Sequence, residues 1–235
     1  MGDSRDVVIV GAGIAGVSIG EHLLRYEPGL SILLIDAEHV GAGSTSRSLA
    51  AFRHQWSVPA HVAFSRYSGE EYERLVALGY RLEFRRNGYL FLYTDRDRFR
   101  HASDRAARQR EQGIVVDAIG PEGLDPGRIP CASWIEDSHI VGVTWGPRDG
   151  FLDPLAVAQA YLDEARRRGL EYRPGVLPGS LTKNGNAITG ITLAGDRIAT
   201  ERVVLAAGIW SASIALEWGL ALPILSAKRY IYHSR

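Results

Sequence analysis

Apolar residues along this chain fall into short continuous runs and into longer stretches spaced at helical intervals. Val7 to Val10 forms an uninterrupted run, and Ser31 to Ile35 forms a second that closes on Asp36. Both suit strands buried on two faces of a parallel sheet. Between them apolar residues recur at helical spacing through Leu23 and Leu24. Residues 60–78 predict an amphipathic helix with Val62, Phe64, Tyr67, Tyr72, Leu75 and Val76 near one side, stopped by Gly79. Residues 81–86 and 88–93 read as two strands joined at Asn87-Gly88, a hairpin signal. A further helix opens at Asp153-Pro154, with Asp153 as N-cap and Pro154 in the first turn, and ends at Gly169. Residues 186–193 and 197–199 predict antiparallel strands around an Ala194-Gly195-Asp196 turn, and Arg202 to Ala206 a last buried strand. This order predicts an α/β fold (α+β overall), in which the chain leaves a nucleotide-type sheet through residues 80–145 and then returns to it.

Composition changes that picture little. The chain has 235 residues, 46% hydrophobic and 23% charged, as in an ordinary globular protein with a substantial core. Formal net charge is zero, which disfavours nucleic acid or an anionic membrane as a partner. Twenty-five of the 27 basic residues are arginine, a bias that a GC-rich genome and heat adaptation explain equally well. The heavily charged segment 95–112 interleaves both signs and reads as a solvated face, and residues 120–130 read as a Pro/Gly loop. No stretch approaches the roughly 20 apolar residues of a membrane span. The N-terminus lacks the basic lead of a secretory signal. One cysteine, Cys131, allows no internal disulfide and leaves open a reactive thiol. A cytoplasmic protein is expected.

The chemistry-bearing stretch is Asp6 to Asp36. Gly11, Gly13 and Gly16 stand in G-x-G-x-x-G spacing between a strand and a helix, with Ile14 and Ala15 opening that helix. In this pattern the first glycine makes the tight turn, the second admits a pyrophosphate, and the third lets helix pack on strand. The helix N-terminus supplies N–H groups and a favourable dipole for phosphate. Asp36, with Ala37 after it, ends the second strand, where a carboxylate accepts the ribose hydroxyls of an adenosine and disfavours a 2′-phosphate. Downstream, the loop of Ser44, Thr45, Ser46, Arg47 and Ser48 is dense in N–H and O–H donors suited to phosphate or a ring edge. The glycines alone do not choose between NAD and FAD. No metal site is assigned.

Four separated pieces carry a resemblance: VVIVGAGIAG with Asp36, GAGSTSRSLAAFR at 41–53, DGFLDP at 149–154 and VVLAAGIWS at 203–211. Together they resemble the FAD-dependent amine and amino-acid oxidoreductases of the D-amino-acid oxidase superfamily, above all its sarcosine oxidase, glycine oxidase and proline dehydrogenase β-subunit branch. The resemblance implies a Rossmann-like FAD-binding domain at 1–79 and 146–222, with an inserted, incomplete antiparallel-sheet substrate domain at 80–145 and 223–235. It implies FAD as cofactor, with the pyrophosphate at Gly11, Gly13 and Gly16, the ribose at Asp36, and flavin phosphates and ring along Ser44 to Ser48. Val176 would meet the adenine through its backbone, and Ala207, Gly208 and Trp210 would belong to the turn that approaches the cofactor. Arg53 matches an arginine that faces the substrate carboxylate; a structural salt bridge is its other reading. His54 reads either as a residue acting on flavin or substrate or as a satisfied interior histidine.

The implied reaction oxidises the C–N bond of an amino acid or secondary amine, with hydride passing to flavin N5 and the imine then hydrolysed. Family members usually run well beyond this length, and the chain stops where the substrate sheet should continue. A fragment, a short gene product and one part of a split enzyme are all consistent with that. The partners implied are a small amino-acid or amine substrate, and a second subunit or the remaining C-terminal portion.

Overall fold

The computed structural model describes residues 3–125, 127, 129, 139–228 and 230. Cys131, weighed above as a reactive thiol, lies outside them, as does most of the 229–235 segment. The chain divides into two compact units, Met1–Leu49 with Pro154–Arg235, and Ala50–Asp153. The expected domains were instead split at 79/80 and 145/146. Helix α2 (Pro59–Ala77) therefore falls in the second unit. Elements are numbered along the chain.

In the first unit, β1 (Val7–Val10) and β2 (Ile32–Asp36) pair in parallel, β12 (Val203–Leu205) lies on the other side of β1, and β8 (Glu171–Pro174) lies outside β2. All four β1 side chains are buried, as the apolar run predicts for a strand covered on both faces. On one face Ile9 meets α1 (Ile14–Tyr26), which packs against α4 (Pro154–Arg167). On the other, Val8, Val10, Leu33 and Ile35 form one cluster with Ile191, Leu193, Ile198 and Trp218. Those partners come largely from an antiparallel meander of β9 (Pro178–Asn184), β10 (Ala187–Leu193) and β11 (Asp196–Ala199). The β10–β11 turn falls at Ala194-Gly195 as expected, with both residues at positive φ. The sequence reading missed β8 and β9, which lack its apolar signals. β8 is mostly half-exposed and β9 mostly exposed.

An ion network lies at the start of this sheet. Arg5 contacts Asp3 and Glu171, and Arg173 reaches Asp3 at 3.0 Å and Glu171 at 2.6 Å. The Arg173 hydrogen bond holds the Asp3 carboxyl below its ordinary 3.8. Arg5 does the same for Glu171, whose ordinary value is 4.5, and the Ser31 hydroxyl lowers Asp6. A folded-state pKa below the unfolded one contributes stability that is complete above the unfolded value and is lost as pH falls through the folded one. Thermal midpoints are therefore expected to decline as pH drops below 4.5 and then 3.8. A variant carrying Asp6→Asn and Glu171→Gln should start lower at neutral pH and decline less. A parallel decline in both proteins would show these carboxylates are not responsible.

The second unit holds an antiparallel sheet in the order β4 (Tyr89–Tyr93), β6 (Gly142–Gly146) and β5 (Asp117–Ile119). The short strands β3 (Ala51–Phe52) and β7 (Gly150–Phe151) pair beside it. Helix α3 (Arg96–Glu111) is capped by Asp95, whose carboxylate accepts from the Arg98 N–H at 2.8 Å. The expected 81–86/88–93 hairpin does not form. Arg85 exchanges both backbone hydrogen bonds with Phe151, and β4 pairs with β6 in the register Tyr89↔Gly146. The reason lies in distant chain. Gly88 has φ +83° and lies against the Trp145 ring, where a Cβ would come within 1.8 Å, so Asn87-Gly88 turns the chain under an indole rather than back on itself.

Candidate functional site: a nucleotide cradle and an arginine cavity

In the first unit, β1 and β12 end side by side, and the chain leaves β1 toward β2 on one side while β12 lies on the other. Open parallel sheets bind ligands at such a switch point, beyond the carboxyl ends of the strands. Gly11 stands there with φ +108°. A Cβ on it would lie 2.5 Å from the Ala206 carbonyl oxygen and 2.9 Å from Ala207 Cα. A Cβ on Gly16 would lie 1.8 Å from the Gly11 carbonyl oxygen, so α1 touches the turn backbone to backbone. Gly13 is the N-cap of α1 and offers no side chain, and no acid occupies the first turn. The Ile14 N–H donates instead to Thr45 Oγ1 at 3.0 Å. This helix start is electropositive, and no acid of its own first turn neutralises it.

Asp36 ties the cradle together. Its Oδ2 accepts from the Ala12 N–H at 2.7 Å, its Oδ1 from the Glu38 N–H at 2.8 Å, and its main-chain carbonyl from the Val176 N–H at 2.8 Å. Each carboxylate oxygen keeps lone-pair capacity for a hydroxyl. Burial, and after it the Asp36 charge, pushes the neighbouring Tyr172 phenol above its ordinary value. Ala37 follows Asp36 into the turn that leads to the 41–48 loop. In that loop Ser46 Oγ donates to the Gly43 and Ala42 carbonyls and Ser48 Oγ to Thr45, so two of the expected hydroxyl donors serve the loop itself. Ser44, Arg47 and Ala15 are exposed. Trp210 lies against Gly43, where a Cβ would sit 3.2 Å from the indole. Ala207 (φ −82°, ψ 22°) followed by Gly208 (φ +55°) makes a backbone turn of the right-handed to left-handed kind, in which successive N–H groups can converge on an anion.

The structure thus gathers Gly11, Gly13, Ile14, Gly16, Asp36, Thr45, Val176, Ala207, Gly208 and Trp210 at one edge of the first unit. Sequence reasoning missed Ala12, whose backbone N–H donates to Asp36 and whose residue type carries no signal.

Arg53 belongs to the second unit, just after β3. Its guanidinium carbon lies 4.0 Å from the Trp56 ring centre, 5.3 Å from that of Phe91 and 5.6 Å from that of Tyr89. Its Nε is buried without a hydrogen-bond partner. Among the described residues Arg53 has no carboxylate partner, so the structural salt bridge weighed above is not what holds it. Beside it, the buried Asp149 accepts from the His54 N–H at 2.9 Å, from His54 Nδ1 at 2.6 Å and from Gln55 Nε2 at 3.1 Å. His54 is therefore a satisfied histidine. Asp149 is a second miss; its signal was the DGFLDP motif, which had been read only for likeness.

A family model for FAD dependent oxidoreductases, abbreviated DAO, matches residues 6–235. The chain belongs to this FAD-dependent family. It is 26% identical over 274 residues to FAD-dependent oxidoreductase domain-containing protein 1 of Bos taurus, covering 98% of this chain and 55% of that protein. It is 24% identical to sarcosine oxidase subunit beta of an Arthrobacter species, covering 95% and 56%. The L-proline dehydrogenase of P. horikoshii superposes with a TM-score of 0.82 at 25% identity, covering 93% of this chain and 57% of that one. The chain thus spans about half the length of these proteins. Within the family, the fold is the expected α/β arrangement with a Rossmann-like parallel sheet. No helix of the described residues is long and apolar enough to cross a membrane.

Proposed function

We propose that this chain binds FAD through its first unit and acts in oxidising the C–N bond of an amino acid or secondary amine. The observation that carries this reading is the glycine cradle, in which Gly11 and Gly16 leave no room for a Cβ beside an α1 N-terminus with no acidic cap. The pyrophosphate lies against that N-terminus, the Asp36 oxygens accept the ribose hydroxyls, and the Val176 carbonyl, whose own N–H is committed to Asp36, meets the adenine. The Ser44–Ser48 loop and the Ala207-Gly208 turn bound the rest of the cofactor. When bound, FAD supplies the hydride acceptor. Arg53 holds the substrate carboxylate: a guanidinium fixed on aromatic faces and short of a partner is pre-organised for bidentate binding.

A second reading is favoured by the half-length coverage and by the name of the Arthrobacter relative, a subunit. Here the chain holds FAD and catalysis is completed by further polypeptide. A cytoplasmic location goes with either reading. Visible spectroscopy separates them: a purified chain with a flavin spectrum that bleaches anaerobically with an N-methyl amino acid supports the first. A yellow chain that bleaches only with added polypeptide supports the second, and a colourless chain that does not take up FAD overturns both. In the active protein, Arg53→Ala should raise KM strongly with flavin retained; an unchanged KM removes Arg53 from the site.

A further inference from the structure

The cavity beside Arg53 contains a second cation. It has a volume of about 430 Å³, and its lining includes Arg53, Arg105, Gln55, Gln109, Trp56 and Thr144, with no Asp or Glu among the described lining residues. The volume lies within the range of small-molecule pockets, about 300–1,000 Å³. Arg105 reaches it because Ala102, Arg105 and Gln109 follow one another at three- and four-residue spacing and so share a face of α3. That face is fixed in place: Gln109 Nε2 donates to the Trp56 carbonyl at 2.6 Å, and Ala102 and Gln109 are buried.

Elsewhere in this unit Arg74 is paired with Glu71, Arg86 with Glu73 and Arg100 with Asp97, and arginines without a carboxylate partner among the described residues, such as Arg96, Arg98, Arg108 and Arg148, are exposed, whereas Arg53 and Arg105 are half-buried. Among the described residues neither Arg53 nor Arg105 has a carboxylate partner, and the Arg53 Nε has no hydrogen bond at all. Among the described residues the cavity thus holds two like charges without a counter-charge, an arrangement that one monoanion leaves half satisfied. We propose that the ligand of this cavity is a dianion: the amino-acid or amine substrate carries a second carboxylate, held by Arg105, besides the one held by Arg53. This inference rests on the reading of Arg53 as the substrate-carboxylate residue.

Calorimetric titration of the full chain with succinate and glutarate, against acetate and propionate, tests it. A dicarboxylate should bind at least about tenfold more tightly than a monocarboxylate, since each charge-assisted hydrogen-bonded contact is worth about that factor or more. Arg105→Gln should erase that advantage, with succinate and glutarate affinity falling by more than acetate affinity, and Arg105→Lys should keep part of it. Arg53→Ala should weaken both ligands. Equal affinities for the two classes, or a dicarboxylate affinity that Arg105→Gln leaves unchanged, overturns the second-carboxylate inference with the Arg53 reading intact. An acetate affinity that Arg53→Ala does not alter overturns the Arg53 reading itself, and binding of neither class overturns both.

Discussion

Gly16→Ala is expected to yield a chain that purifies without flavin. The new methyl group would occupy a point 1.8 Å from the Gly11 carbonyl oxygen and 3.0 Å from its carbon, and both are backbone atoms that no rotamer change can clear. Helix α1 must move off β1, against Val17 and Leu24, which are fully buried. Overpacking of this kind costs about 1–3 kcal/mol in ordinary cores and more where backbone is struck. The movement also takes the α1 N-terminus away from the turn, so the loss in FAD affinity should exceed about 100-fold, equivalent to roughly 2.7 kcal/mol. Gly11→Ala should do the same by a different route. Its φ of +108° is strained for any residue with a side chain, and the methyl would meet Ala206 O at 2.5 Å. Gly29→Ala is the control, an exposed position with nothing within 4 Å. Flavin absorbance per protein and the thermal midpoint are the readouts. Wild-type flavin content in Gly16→Ala would mean that the close approach at Gly11 does not shape the site.

Positions whose residue type is dictated by the fold were legible in the sequence. β1 was predicted at Val7–Val10 and is found there, because a strand covered on both faces requires a continuous apolar run. The glycine spacing was legible for the same reason, since only glycine fits at Gly11 and Gly16. Partnerships decided by distant chain were not legible. Residues 81–86 alternate as a hairpin strand should, yet Arg85 pairs with Phe151, and Gly150 is a glycine because a Cβ there would lie 1.9 Å from the Arg85 carbonyl oxygen. Strand β8 carries Glu171 and Arg173 at its half-exposed edge, and its charges pair with Asp3 and Arg5 rather than marking a loop. At the cradle, residue type and position pointed to Asp36, and the resemblance to Val176. The Ala12 donor is a main-chain group and leaves no trace in composition.

Asp149 is the residue whose loss should most disturb the second unit. It is 1% exposed and serves three donors, two of them on His54. Gly146 makes room for it, since a Cβ there would lie 2.3 Å from Asp149 Oδ2 and 2.7 Å from Gln55 Nε2. Asp149→Ala leaves those donors buried and short of an acceptor, at about 1–3 kcal/mol for each one unsatisfied. Gln55 keeps the Tyr89 carbonyl at 2.9 Å, so the loss falls mainly on His54 and should total about 3 kcal/mol. For a chain of this size that lowers the thermal midpoint by roughly 10 °C. Asp149→Asn should recover part of it: one oxygen can still accept from His54, but the amide then faces Gln55 Nε2, a donor against a donor. The effect should reach carboxylate binding, because His54 and Gln55 directly follow Arg53, and the Trp56 indole N–H donates to the Arg53 carbonyl at 2.9 Å. Acetate affinity should therefore fall in Asp149→Asn even below its melting transition, although Asp149 is not among the residues lining the arginine cavity. An Asn variant with a lowered midpoint and unchanged acetate affinity would confine Asp149 to the core. A loss of affinity at constant fold makes it the residue that positions the Arg53 segment.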